Sequence, residues 1–342
     1  MKKMKGGLPV SFYRIAYVMD HSMHTVTAAD VQSLTHINLA FGLLKDGQLD
    51  LHQLTNLSLI SRFREWNPEL KIVLSVGGWG AGGFSTAAMT EIGRNQLAAS
   101  CLEVVERYAL DGIDIDWEYP CSDVAGIDAS PRDKENFTLL LQAIRDALGW
   151  NRIVSVAMGA DESCVRNTQM ERVSPILDYV QLMTYDMFNG LSCRAGHHAA
   201  LSPTRGDSFR NNTQAVVELY HDAGVPYEKM VIGAAFYGRQ FAVETTENNG
   251  LLQPSGPGLD GPSYHQITPE YLRKHSYQQF WDEDAQAAYL WNGKLFVSYE
   301  SAEAIRRKSN YIKQKQLRGL MYWEHGHDQT KELLGIIGEV LK

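Results

Sequence analysis

Short apolar, β-branched runs recur along the chain at 13–19, 36–42, 71–77, 112–117, 152–158, 179–184, 231–236 and 319–322, and each reads as a buried strand. Between them the apolar residues fall at helical spacing. Cys101/Val104/Val105/Tyr108, Phe137/Leu140/Leu141/Ile144 and Val216/Leu219/Tyr220/Ala223 all follow i, i+3, i+4, i+7. Gly149 and Gly224 close two of these stretches, as left-handed helix ends require. Eight strands alternating with helices predict parallel βαβ units closed into a (β/α)8 TIM barrel. The competing open doubly wound sheet lacks its usual G-x-G-x-x-G, and the glycine-rich stretch 77–83 lacks the Lys-Ser/Thr of a phosphate cradle.

One connection is too long for a simple loop. The segment between Arg239 and Ser301 is rich in Gly, Pro and aromatics and predicts a small α+β insertion between strand 7 and strand 8. Within it, 268–275 reads as helix, and 287–291 with 294–299 as a hairpin turning at Asn292-Gly293. The barrel is therefore assigned to 1–239 and 300–342, and the insertion to 240–299. Trp281 and Trp291 read as the insertion's own core.

Composition narrows the partners. The chain has 342 residues, 44% hydrophobic and 21% charged, with 32 Lys+Arg against 40 Asp+Glu and a formal net charge of −8. That balance argues against nucleic acid or an anionic membrane as partner. No apolar run reaches the roughly 18 residues of a membrane span. The basic start 1–5 is followed by Gly6, Gly7, Ser11 and Arg14 rather than by an apolar signal core. The expectation is either a cytoplasmic chain or a secreted or periplasmic one whose leader is absent. Cys101, Cys121, Cys164 and Cys193 are too few and too scattered for a disulfide framework or zinc motif and read as free thiols.

The chemistry concentrates in Leu110-Asp111-Gly112-Ile113-Asp114-Ile115-Asp116-Trp117-Glu118-Tyr119-Pro120. Strand side chains alternate faces, so Asp114, Asp116 and Glu118 share one face while Ile113, Ile115 and Trp117 share the other. The apolar face must pack on helices, which sends the acids into the barrel. Like charges crowded in a buried space cannot all stay ionised, so at least one proton is retained. A carboxylic acid still protonated near neutral pH is what a general acid needs. Glu118, nearest the C-terminal mouth, is the expected acid, with Asp116 and Asp114 behind it.

Asp111-x-x-Asp114-x-Asp116-x-Glu118 resembles the D-x-x-D-x-D-x-E signature of family-18 glycoside hydrolases, the chitinase family. Ser75-Val76-Gly77-Gly78, Met183-Thr184-Tyr185-Asp186, Tyr237-Gly238-Arg239 and Met321-Tyr322-Trp323-Glu324 are similar to that family's further motifs, in order. The insertion resembles the extra subdomain of bacterial-type members. The carboxylates alone would allow an ordinary retaining mechanism with Asp116 as nucleophile. The resemblance implies instead that the substrate's 2-acetamido oxygen attacks, with Glu118 as acid and then base, Asp116 stabilising the oxazolinium, and Asp114 its proton partner. It further implies that Tyr185 hydrogen-bonds the acetamido oxygen, that Asp186 binds the distorted sugar and that Trp323 floors the −1 subsite, with Tyr237, Arg239 and Met183 nearby. Trp79 and Tyr119, just past strand ends at the mouth, are expected to contact sugar, as is Gly78 of the Ser75–Gly78 motif. Tyr17 and Phe41 either line the same pocket or fill the barrel.

The resemblance implies a substrate of chitin or chitooligosaccharide, no cofactor, no metal and no partner protein. His197-His198 and His325-x-His327-Asp328 are accordingly read as loop histidines. Two alternatives stand beside chitinase: an endo-β-N-acetylglucosaminidase on N-glycans, and a catalytically silent chitin-binding lectin. The presence of Glu118 argues against the lectin.

Overall fold

The computed structural model describes residues 11–209 and 211–342; the basic start 1–5 lies outside them. Nine strands form the first sheet: β1 (Tyr13–Met19), β2 (His36–Lys45), β3 (Gln48–Asp50), β4 (Lys71–Gly77), β5 (Gly112–Asp116), β6 (Ile153–Gly159), β7 (Tyr179–Met183), β8 (Met230–Ala235) and, late in the chain, Gly319–Trp323. That last strand pairs in parallel with both β1 and β8, and β1 also pairs with β2. The ring of eight parallel strands is thus closed, with β3 a short antiparallel addition to β2. All eight expected barrel strands are present, each within a few residues of the bounds read from the sequence.

Strand alternation divides the apolar residues into two cores. Ile113, Ile115 and Trp117 face outward into the layer between strands and helices, with Trp117 stacked on Phe84 at 5.4 Å. Phe137, Leu140, Leu141 and Ile144 of the helix Asp133–Leu148 meet them there, and Gly149 ends that helix at φ 69°. Inside the ring Ile15, Tyr17, Ala40, Ala157, Tyr179, Met183, Val231 and Met321 form a second cluster that fills the barrel interior. Burial of this order, at roughly 25 cal/mol per Å² of apolar surface, is the main force holding the ring closed.

The insertion's first strand begins at Tyr237, with one residue between it and the end of β8, so residues 237–239, assigned to the barrel from the sequence, pair in the insertion's sheet. Its strands are β9 (Tyr237–Ala242), β10 (Leu259–Ser263), β11 (Gln278–Asp282), β12 (Ala287–Trp291) and β13 (Leu295–Tyr299), antiparallel in the order β10-β9-β13-β12-β11. The last barrel strand, Gly319–Trp323, is therefore β14. Helix Pro269–Lys274 is capped by the Thr268 side chain. It covers one face with Tyr277, Leu290, Val297 and Tyr299, against which Trp281 also packs. Trp291 packs on the other face with Phe188, Phe241, Leu251, Tyr289 and Phe296. Trp281 packs within the insertion, as the sequence suggests, whereas the Trp291 cluster also takes in Phe188 and Ala195 from the connection after β7. The four cysteines are free, and among the described residues no helix is long and apolar enough to cross a membrane.

Candidate active site

The site is built from the C-terminal ends of the barrel strands, where side chains of several strands converge. Asp114, Asp116 and Glu118 all point inward and are buried. Asp114 lies deepest and accepts from Tyr17 Oη at 2.8 Å, Ser75 Oγ at 2.8 Å, Ser155 Oγ at 2.7 Å and Gln181 Nε2 at 2.8 Å. Asn38 Nδ2 donates to Gln181 Oε1 at 3.1 Å, which turns the Gln181 amide hydrogens toward Asp114. Burial pushes Asp114 up, and the four donors pull against it. Four donors favour the ionised form of a carboxylate with that many acceptor positions.

Asp116 has no such cradle among the described residues; its Oδ1 is buried without a partner there. Burial first, then the charges of Glu118 and Asp114, push it well above the ordinary carboxylate range. The proton shared between the two aspartates therefore resides on Asp116 rather than on the saturated Asp114. Burial pushes Glu118 up to about 7; Tyr119 opposes the shift and the charge of Asp186 adds to it. The three acids form a column whose outermost member is a proton donor near neutrality.

Aromatic rings enclose the space above them. Trp323 stacks on Phe41 with centroids 5.4 Å apart and tilts against Tyr17 at 5.8 Å. Gly78 allows this, because a Cβ there would lie 2.8 Å from the Phe41 ring. Gly77, at φ 116°, brings β4 against β5 so closely that a Cβ would meet Asp116 O at 2.1 Å. Tyr185 crosses over Gly233, lies edge-on to Tyr237 at 6.3 Å, and its hydroxyl meets the Met321 thioether, a weak acceptor, at 3.8 Å. On another part of the rim Trp79, 62% exposed, stands edge-on to Tyr119 at 6.3 Å.

Asp186 is gripped from the insertion. Arg239 on β9 donates Nε to Oδ1 at 2.7 Å and Nη2 to Oδ2 at 2.8 Å, and it also pairs with Asp260. Burial alone would raise Asp186; hydrogen bonds from Arg239 and His198 override it and hold the group well below the usual carboxylate range. The sequence residues thus gather at one mouth: the acidic column, Tyr17, Phe41, Met183, Tyr185 and Trp323 inside it, and Tyr237, Arg239 and Asp186 on the insertion side. Tyr17, left open between pocket and filling, is buried beneath the site as a donor to Asp114, whereas Phe41 backs Trp323.

The chain from residue 13 to residue 328 matches the family model of glycosyl hydrolases family 18. The chain belongs to family 18. A family-18 N-acetylglucosaminidase structure from Paenibacillus barengoltzii is 44% identical, with a TM-score of 0.94 over 96% of this chain and 99% of that one. Chitinase A1 of Niallia circulans is 34% identical over 306 residues, 81% of this chain and 43% of that protein. Chitotriosidase-1 of Mus musculus is 29% identical over 328 residues, 88% of this chain and 68% of that protein. The chain thus spans under half of the first of these chitinases and about two thirds of the second.

Some residues of the site escape motif reading. Ser155, Gln181 and Asn38 complete the Asp114 cradle, and their signal was present: each is a polar residue at an inward position of an otherwise apolar strand. His197 and His198, read as loop histidines, are both fully buried and face acids. His197 Nε2 lies 3.1 Å from Asp282, and His198 Nδ1 lies 3.4 Å from Asp186. Among the described residues no group of three or more His, Cys, Asp or Glu side chains is placed to hold a metal.

Proposed function

We propose that this family-18 hydrolase cleaves β-1,4 bonds between N-acetylglucosamine units of chitin or chitooligosaccharides with retention, assisted by the substrate's own acetamido group. The observation that carries the reading is the acidic column, in which a buried Glu118 protonated near neutrality sits outside an Asp116–Asp114 pair. In the first step Glu118 gives its proton to the glycosidic oxygen as the bond from that oxygen to the anomeric carbon breaks. The acetamido carbonyl oxygen of the −1 sugar forms the new bond to that carbon, closing an oxazolinium ring. Asp116 accepts the acetamido nitrogen's hydrogen, and the negative charge held on Asp114 behind it offsets the positive charge that develops.

In the second step ionised Glu118 takes a proton from water, whose oxygen attacks the anomeric carbon and opens the ring. Glu118 is again protonated and the product keeps its configuration. Tyr185 donates to the acetamido oxygen in place of its weak thioether contact, Asp186 binds the distorted sugar, and the Trp323 indole supports the sugar's apolar face. Met183, Tyr237 and Arg239 line or brace the same subsite, while Gly78, Trp79 and Tyr119 shape the aglycone side.

A second reading concerns where the chain is cut. The 44% identity to an N-acetylglucosaminidase, covering nearly both chains, favours release of single sugars from an end over internal cleavage. A mass-spectrometric time course on chitin hexamer, with Glu118→Gln as control, tests both. Shortening by wild type alone supports the mechanism; pentamer plus monomer as first products mark end-wise release, and dimers to tetramers mark internal cutting. An intact hexamer with wild type overturns the chitinase reading and leaves N-glycan cleavage or sugar binding. Chitin is an extracellular polymer, so the reading includes export of the mature enzyme, which fractionation of the native host would check.

A further inference from the structure

We infer that His198 is a positioning residue for Asp186, tying the insertion to the sugar-binding mouth of the barrel. This rests on the role proposed for Asp186 above. His198 makes contacts in both directions. Its carbonyl accepts from Met187 N at 3.0 Å, immediately after Asp186, and its own N–H donates to Ser298 Oγ of β13 at 2.9 Å. Its ring is fully buried, lies edge-on to Tyr237 at 5.3 Å and brings Nδ1 to 3.4 Å from Asp186 Oδ1.

The tautomer follows from these contacts. Nδ1 faces a carboxylate oxygen that can only accept, so the ring hydrogen sits on Nδ1 and is donated to Asp186. Nε2 is buried and has no partner among the described residues, none of which competes for the opposite edge of the ring. Arg239 fixes Asp186 from β9 through the plane of the carboxylate, and His198 approaches the same Oδ1 from the preceding connection. Asp186 itself has φ 55°, a left-handed backbone that a non-glycine residue adopts where its surroundings impose it. Neighbouring His197 makes the matching contact into the insertion, to Asp282 at the end of β11, with its ring against Tyr289 and Phe296. The strap 196–199 therefore links the insertion's core to the residue that grips the −1 sugar.

Two substitutions separate positioning from mere filling. His198→Asn keeps a donor near the place of Nδ1, whereas His198→Leu keeps apolar volume and removes the donor. On chitin hexamer, His198→Leu should lose about tenfold in kcat/KM, chiefly in kcat, the size of one hydrogen bond to a charged group. His198→Asn should stay within about threefold of wild type. Hydrogen exchange of the segment 184–190 reads the same tie without substrate and should quicken in the Leu variant but not in the Asn variant. Equal losses in both variants would reduce His198 to packing, and wild-type rate and exchange in the Leu variant would overturn the tie outright. If wild type itself leaves the hexamer intact, the functional reading fails and the exchange comparison alone decides the role of His198.

Discussion

Glu118 has a carboxyl whose ordinary value is 4.5 and which burial has moved to about 7. Two consequences follow from that one shift. The protonated form is the one that can donate to a leaving oxygen, so kcat/KM on chitooligosaccharides should fall as pH rises through about 7. The sign for stability is the same. A folded-state value above the unfolded one means the contribution is fully present below about 4.5 and is lost as pH rises through about 7. Glu118→Gln is neutral at every pH and avoids that loss. Its stability relative to wild type should be near zero at pH 4 and grow to about 3 kcal/mol above pH 8, on the scale of 1.36 kcal/mol per pKa unit. Denaturant titrations at both pH values check this, and a difference that does not change with pH would contradict a buried, late-ionising Glu118. The parity of Asp114, Asp116 and Glu118 was legible because isoleucines fix the opposite face. The cradle's members stand out singly as polar residues on apolar strands, but their convergence on one carboxylate was not legible, because Tyr17 and Asp114 are 97 residues apart and meet only after the ring closes.

At the scale of elements, strands carry the site through where they approach one another. On β8, Gly233 is the place where Tyr185 lies flat: a Cβ would stand 2.7 Å from the Tyr185 ring and 2.8 Å from Leu182 O of β7. The second contact is backbone and cannot swing aside. Gly233→Ala should therefore cost about 1–3 kcal/mol of stability and displace Tyr185, lowering kcat more than it weakens ground-state binding. Gly335, inside the helix Glu332–Val340, has nothing within 4 Å of its absent Cβ. Gly335→Ala should raise stability by about 0.5–1 kcal/mol and leave turnover alone. Paired melting and kinetic measurements distinguish the two sites, and equal effects would show that Gly233 is not a close-approach position. Barrel strands were readable from local apolar runs, as were the β12–β13 hairpin and the helix before it. Strands β9, β10 and β11 were not. The run Tyr237–Ala242 follows β8 after one residue, and its partner β13 lies more than 50 residues on, so no local pattern announced a second sheet.

For the whole molecule, the question is what keeps a five-stranded insertion in register with an eight-stranded barrel. The chain leaves the barrel after Ala235 and returns at Glu300, and a buried ion pair fastens both points. Lys308 Nζ sits 2.7 Å from Glu300 Oε1 and 3.0 Å from Gly233 O, while Ala235 N donates to Glu300 Oε2 at 2.6 Å. Both side chains are at most 2% exposed, so neither charge has water to fall back on. Coulombic attraction and desolvation nearly cancel for such a pair, but removing one partner strands the other. Lys308→Met should thus cost about 3–5 kcal/mol, because Glu300 is left buried without its cation. Adding Glu300→Gln should restore most of the loss. The amide can still accept from Ala235 N, and Gly233 O keeps its bond from Thr184 Oγ1 at 2.8 Å. Chemical denaturation followed by tryptophan fluorescence and by far-ultraviolet dichroism would report both variants. Five of the seven tryptophans (Trp66, Trp79, Trp117, Trp150 and Trp323) lie in the barrel and two (Trp281 and Trp291) in the insertion, so a single fluorescence transition that coincides with the ellipticity marks a shared unit. A single variant as stable as wild type would mean the pair is not the fastening. A double variant no better than the single would mean that the lost lysine contacts, rather than a stranded charge, set the cost.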